Sequence, residues 1–326
     1  MLDKVAKIIS EKGIDALSPE DLEALKNIAA RSSDIHAFLS NIKFEDIEAK
    51  REQFRAIDLK RCSNEELFKS VMDIISFDYA GSSLGVIMPS FGTYPTDTKL
   101  YRIRKLEEED HFIPLKALSN EQGAWNPPSE CVKELGRLND ISESLLYTSL
   151  DPNTPVEEMG IKEGERFLLI VYKAKRDVKV AYIGYWNDHP ELSKEENLKM
   201  RMIHNILNDI FIKEVGKGTE YLYRASARIA KDYFDCPPEM QDAWCYPSIA
   251  SKKGYNICFR PEIARDILEL LGVQICTVNR NDGSTYTHHC QTIAVWNALK
   301  SAFDYYPVDS PECQKLFSRD ASMQGS

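Results

Sequence analysis

Two neighbouring runs, RFLLIVYKA (Arg166–Ala174) and VKVAYIGYW (Val178–Trp186), constrain this chain more than any other stretch. Both are rich in β-branched and aromatic residues, so each reads as a strand, and a chain that holds them must build a sheet. Only Lys175-Arg176-Asp177 lies between them. A link that short predicts a hairpin. Three shorter strand signals accompany them. They are KLYRIRKL, where Leu100, Arg102 and Arg104 alternate with Tyr101, Ile103 and Lys105, then SLLYTSL and VQICTV. Strands and helices come in separate groups rather than in strict alternation, which predicts an α+β fold with a mixed sheet and not a doubly wound one. No GxGxxG follows a strand and no GxxxxGKS/T is present, so neither a dinucleotide-binding βαβ unit nor a P-loop is supported.

Helix starts are marked by their caps. Ser18-Pro19-Glu20-Asp21 combines an N-cap, a proline at the first helical position and an acidic first turn. Ser63-Asn64-Glu65-Glu66 and Ser193-Lys194-Glu195-Glu196 are capping boxes. IHAFLSNIKFEDIEAKREQFRAI predicts one long helix, and two more are expected over Glu220–Phe234 and from Pro261 to about Leu271. Near Asp78 the character changes to AGSSLGVIMPSFGTYPTDT, which is loop chemistry. The expected organisation is a helical region over 1–78, a linker over 79–99, a main domain over 100–306 and a frayed tail over 307–326. Within the main domain, His111–Pro128 reads as a long loop of the kind reserved for function.

Composition removes several classes of activity. With a formal net charge of −10, the chain lacks the broad basic face that nucleic acid or an anionic membrane requires. YLYRASARIAKDYF mixes arginines with aromatics, but its helical spacing turns the apolar residues to a core and leaves Arg224, Arg228 and Lys231 solvated. No apolar run approaches the ~20 residues of a membrane span, and no secretory leader is evident. The eight cysteines then read as reduced thiols of a cytoplasmic protein. His288-His289-Cys290 and the Cys236/Cys245 pair lack the spacing of a zinc site, so no metal is expected.

Four blocks in order carry the candidate chemistry: LYRIR, GRLN, LYTSLDPNTPVEE and CYPSIASKKGYN. Together they resemble the RES domain, a family named for its arginine, glutamate and serine, over roughly Leu100 to Val278. Carried over by motif, Arg102 takes the place of the first arginine and Arg137 that of the Gly-Arg arginine. Tyr147 matches the pocket tyrosine, Glu158 the glutamate, Ser248 the serine, and Asn256 a polar position that often follows. The stretch between Arg102 and Arg137 is longer than in short family members, so an insertion must be fitted at the pocket mouth. Glu157 stands next to Glu158, and the choice between them rests on register.

The resemblance implies an ADP-ribosyltransferase-like fold and an enzyme that consumes NAD+, breaking the nicotinamide–ribose bond with water or inorganic phosphate as acceptor. NAD+ would be the substrate and phosphate a co-substrate; no resident cofactor is implied. Many family members are growth-arresting toxins of toxin–antitoxin pairs, which makes an antitoxin with a DNA-binding domain the expected partner and leaves homo-oligomerisation open. Elementary chemistry agrees with the residue types. Guanidinium forks bind a pyrophosphate bidentately. A carboxylate stabilises the oxocarbenium character that builds on the ribose as nicotinamide leaves. A tyrosine ring and a serine hydroxyl offer a face and a hydrogen bond to the ligand. Arg104, two residues along the same face, is a rival of Arg102 for the phosphates. Two other functions compete: a protein ADP-ribosyltransferase, and a non-catalytic module that senses a nucleotide or docks a partner.

Overall fold

The computed structural model describes residues 35–106, 113–216, 218–248, 254–281 and 285–317. The Ser18 cap lies outside them. The stretch expected as one long helix is broken at Ile42-Lys43: residues 35–41 are helical, and α1 (Phe44–Arg55) starts afresh where the Asp46 carboxylate accepts the Lys43 amide. The next helix, α2 (Asn64–Ile75), opens on its expected capping box, with the Ser63 hydroxyl accepting from the Glu66 amide at 3.1 Å. The supposed linker over 79–99 is structured instead. A small hairpin of β1 (Ser76–Tyr79) and β2 (Ser82–Gly85) follows α2 directly, and β3 (Ser90–Tyr94) joins the main sheet.

The chain continues through β4 (Lys99–Lys105), β5 (Leu146–Ser149), α3 (Thr154–Glu158), β6 (Arg166–Ala174) and β7 (Val178–Tyr182). Then come α4 (Lys194–Phe211), again opened by its capping box, and α5 (Tyr223–Tyr233). The strands β8 (Ala243–Pro247) and β9 (Tyr255–Phe259), the helix α6 (Pro261–Ile267) and the long pair β10 (Leu268–Asn281) and β11 (Thr285–Asn297) follow. Last are β12 (Ala302–Pro307) and α7 (Pro311–Leu316). The expected helix from Pro261 stops early because Leu268, Glu269 and Leu270 pair with β6. The tail is also folded further than expected: Ser310 caps α7, and Cys313 is buried.

Among the described residues, ten strands form one mixed sheet in the order β12-β11-β10-β6-β4-β5-β9-β8-β7-β3. The predicted hairpin of β6 and β7 does not exist. Only three residues join the two strands, yet four strands separate them in the sheet, so the sheet must curl back on itself. The link is fixed at the crossing rather than turned as a hairpin. Arg176 makes a two-pronged bond to Asp242 at 2.9 Å for each prong, and Asp177 accepts from the Thr96 amide at 2.8 Å. Strand β7 then pairs with β3 and, in parallel, with β8.

The curl explains why β6 reads as an unbroken apolar run. Leu168, Ile170, Tyr172 and Ala174 face the core enclosed between the two halves of the sheet. Phe167, Leu169 and Val171 face a second core beneath Val156 of α3. Burial on both faces removes the polar alternation of a half-exposed strand. The third core packs α1, α2, α4 and α5 against the outer face of β5, β8 and β9. Helices expected as a separate region are therefore continuous with the main domain over residues 38–75. No helix among the described residues is long and apolar enough to cross a membrane.

Candidate functional site

The two halves of the sheet meet at β4 and β5, which share a single paired position, Tyr101 opposite Ser149. The strands then part. The residues next in line, Arg102 and Ile103 on one lip and Thr148 and Tyr147 on the other, line a cleft of about 660 Å³. Arg137, Glu158 and Asn256 line the same cleft, together with Glu143, Tyr223 and Tyr246. Five of the six residues singled out from sequence thus meet in one hollow, and the sixth, Ser248, touches it through Glu158. A second hollow of about 600 Å³, between α1 and α4, contains none of them.

Glu158 ends α3, the short helix that proline opens at Pro155. Its Oε1 accepts hydrogen bonds from Ser248 Oγ and Asn256 Nδ2, each at 2.7 Å. Both donors are nearly buried, at 5% and 4% exposure, so the carboxylate is held at one oxygen by fixed partners. Of the two neighbouring glutamates, Glu158 lines the cleft and Glu157 does not; burial together with the charges of Asp151 and Glu158 raises the Glu157 pKa.

Arg102 sits on β4 within reach of the Tyr172 hydroxyl, which favours its charge, while its Nη1 is buried without a hydrogen-bond partner. Burial, helped by the charge of Arg104, lowers its pKa from the usual arginine value. Arginine stays protonated all the same, so an uncompensated charge is held at the cleft wall. Its rival Arg104 is committed elsewhere: its Nη1 donates to the Ala117 carbonyl at 2.9 Å and braces the loop that carries Trp125. That loop, described from residue 113, is further pinned by Tyr172, whose hydroxyl donates to the Ala124 carbonyl, and by Arg265 lying 4.3 Å from the Trp125 ring.

GRLN proves to be a built turn. A side chain at Gly136 would meet Asn139 Oδ1 at 2.0 Å, so only glycine admits the Asn139 amide. Asn139 Oδ1 accepts from the Tyr147 hydroxyl at 2.8 Å, and that hydroxyl accepts from the Leu138 amide at 3.0 Å. Tyr147 lines the cleft, and its hydroxyl also holds the turn that carries Arg137. Burial raises its pKa well above the ordinary value. Arg137 itself lies 5.2 Å from the Tyr223 ring and, like Arg102, has no ion pair with any described carboxylate.

The expectation of a solvated polar face on α5 holds for Arg228, which is exposed, and is corrected for Arg224 and Lys231. Arg224 donates to the Leu59 carbonyl, the Cys62 carbonyl and Asn64 Oδ1 at 2.8, 3.0 and 2.8 Å. Arg228 pairs with Asp232 over the Phe68 ring, and Lys231 binds Asp140 and Glu143. Tyr223 and Tyr246 escaped the sequence reading. Tyr246 could have been found from its place beside Pro247-Ser248; Tyr223 carried no signal beyond helical spacing. No group of three or more His, Cys, Asp or Glu side chains among the described residues is placed to hold a metal, and all eight cysteines are free thiols.

An anion is the ligand that two guanidinium groups without a carboxylate partner in one hollow call for, and the carboxylate in the same hollow is suited to a group that gains positive charge. In comparisons with family models, with curated proteins and with solved structures, nothing matches the chain.

Proposed function

We propose that the chain is an NAD+-degrading enzyme that cleaves the nicotinamide–ribose bond, with water or inorganic phosphate as acceptor, and that its sheet is of the ADP-ribosyltransferase type. One observation carries the reading: Arg102 and Arg137, both without a carboxylate partner, share a cleft with a carboxylate that two buried donors hold in place. In this reading the two guanidinium groups bind the pyrophosphate. The bonding pair of the C–N bond leaves with nicotinamide, which departs neutral, and the ribose carbon takes up positive charge. Glu158 faces that charge with the oxygen that Ser248 and Asn256 leave unused. The acceptor oxygen then attacks and loses its proton to solvent, giving ADP-ribose from water or ADP-ribose-1-phosphate from phosphate. Consumption of NAD+ makes the protein a growth-arresting toxin in a cell that lacks its inhibitor.

The test is incubation of the purified chain with NAD+, with and without inorganic phosphate, and chromatography of the products. Free nicotinamide is expected, and Glu158→Gln should slow its release by roughly 10²-fold to 10³-fold. Intact NAD+ under both conditions would sink the reading. Label transferred to a protein rather than to free ADP-ribose would replace it with transferase activity.

A further inference from the structure

The structure assigns Tyr223 as the positioning residue of Arg137, through which α5 sets the guanidinium for the ligand's phosphates. This rests on the reading of the cleft as a pyrophosphate site. Arg137 lies on a turn outside the sheet, so nothing in a strand orients it. Its guanidinium carbon is 5.2 Å from the centroid of the Tyr223 ring, and no described carboxylate reaches it. The choice of an aromatic ring has a chemical consequence. A carboxylate at that place would occupy the fork of N–H donors and neutralise the charge, whereas a ring face attracts the cation and leaves its donors for the ligand.

The rest of α5 fixes the same turn. Ser226, three residues after Tyr223, donates to the Arg137 carbonyl at 2.7 Å, and Lys231 ties down Asp140 at 2.8 Å and also Glu143. Helical geometry sets Tyr223 and Ser226 on one face, so the helix meets the turn at both the backbone and the side chain of Arg137. The helix is itself anchored: Arg224 holds the loop between α1 and α2, and the Tyr233 hydroxyl donates to the Val71 carbonyl at 2.6 Å. The chain between residues 44 and 75 thereby acquires a role as the abutment of the phosphate-binding turn.

The experiment is calorimetric titration of ADP into wild type, Tyr223→Leu and Tyr223→Phe, repeated in an Arg137→Met background, with NAD+ kinetics alongside. Tyr223→Leu should weaken ADP about tenfold, while Tyr223→Phe, which keeps the ring, should stay within about twofold. In the Arg137→Met background the leucine substitution should add nothing, since the two residues act as one unit. KM for NAD+ should rise with kcat unchanged. Wild-type affinity in Tyr223→Leu, an undiminished effect without Arg137, or failure of wild type to bind ADP would each overturn the inference. Should wild type bind ADP yet leave NAD+ intact, the catalytic reading falls while the comparison of variants still decides the role of Tyr223.

Discussion

At the scale of single residues, the polar groups of this protein divide into those with fixed partners and those left without. Glu158 belongs to the first kind and the Nη1 of Arg102 to the second, and both residues border the cleft. His204 is also of the second kind but lies far from any chemistry. It is fully buried in α4, its ring 5.1 Å from that of Trp186 and 6.5 Å from that of Phe234, and neither ring nitrogen has a hydrogen-bond partner. Burial lowers its pKa from 6.5 to about 4. The sign follows directly: the unfolded chain takes up a proton from about pH 6.5 downward, and the folded chain resists until about pH 4. Stability is therefore complete above pH 6.5 and falls as pH drops through that window, by about 2 kcal/mol at pH 5 from this group alone. His204→Phe should keep its urea midpoint nearly unchanged between pH 7 and pH 5 where wild type loses ground. Parallel losses in both proteins would assign the acid sensitivity to other groups.

At the scale of elements, the opening between β4 and β5 decides where ligand binds. A pair of strands joined at one position leaves the backbone groups that face the opening outside a ladder, while β6 and β9 pair the other edges, and those facing amides should exchange faster than their paired neighbours. Saturating ADP should slow exchange over residues 101–104 and 146–149, as the ligand bridges the lips. Protection confined instead to α1 and the end of α4 would move the site to the second hollow. Elements differ in how far the sequence announced them. Ser63 and Ser193 were legible because a capping box is closed within four residues. The β4 and β5 strands and the order of the four blocks were legible too, and five of the six residues singled out from those blocks line one cleft. The false hairpin at Lys175-Arg176-Asp177 shows the limit. A three-residue link says only that two strand ends are close, and the bonds of Arg176 to Asp242 and of Asp177 to Thr96, distant in sequence, turn the chain across the core. Tyr147 shows the limit within the site: its hydroxyl goes to Asn139, a partner that only the folded turn reveals. Tyr223 had no local signature, because its work depends on a guanidinium 86 positions earlier in the chain.

At the scale of the whole molecule, the question is whether residues before Asp78 form a unit of their own. Their described apolar side chains argue against it. Leu39, Ile47, Val71 and Ile74 are at most 1% exposed, and they share one core with Ile203, Leu207 and Phe211 of α4 and with Tyr246 and Cys258 of the sheet. Polar bonds cross the same boundary. Lys199, 2% exposed, donates from its ammonium to the Leu39 carbonyl at 2.9 Å, and Arg51 meets Asp209 at 2.6 Å. A chain shortened to residues 79–326 would expose a face of α4 and α5 built to be covered. It would also take the Leu39 carbonyl from Lys199, leaving it Glu195 alone, and the Leu59, Cys62 and Asn64 oxygens from Arg224. Uncovering Ile203, Ile206, Leu207, Phe211 and Ile229, at roughly 1.5–3 kcal/mol for each side chain, is enough to offset a total stability of about 5–15 kcal/mol. The shortened chain should therefore lack a cooperative thermal transition by circular dichroism and should not bind ADP. The full chain should unfold in one step, with helical signal and ADP binding lost together. A shortened chain that melts cooperatively and binds ADP would make the helices a detachable module and remove them as the support of the Arg137 turn.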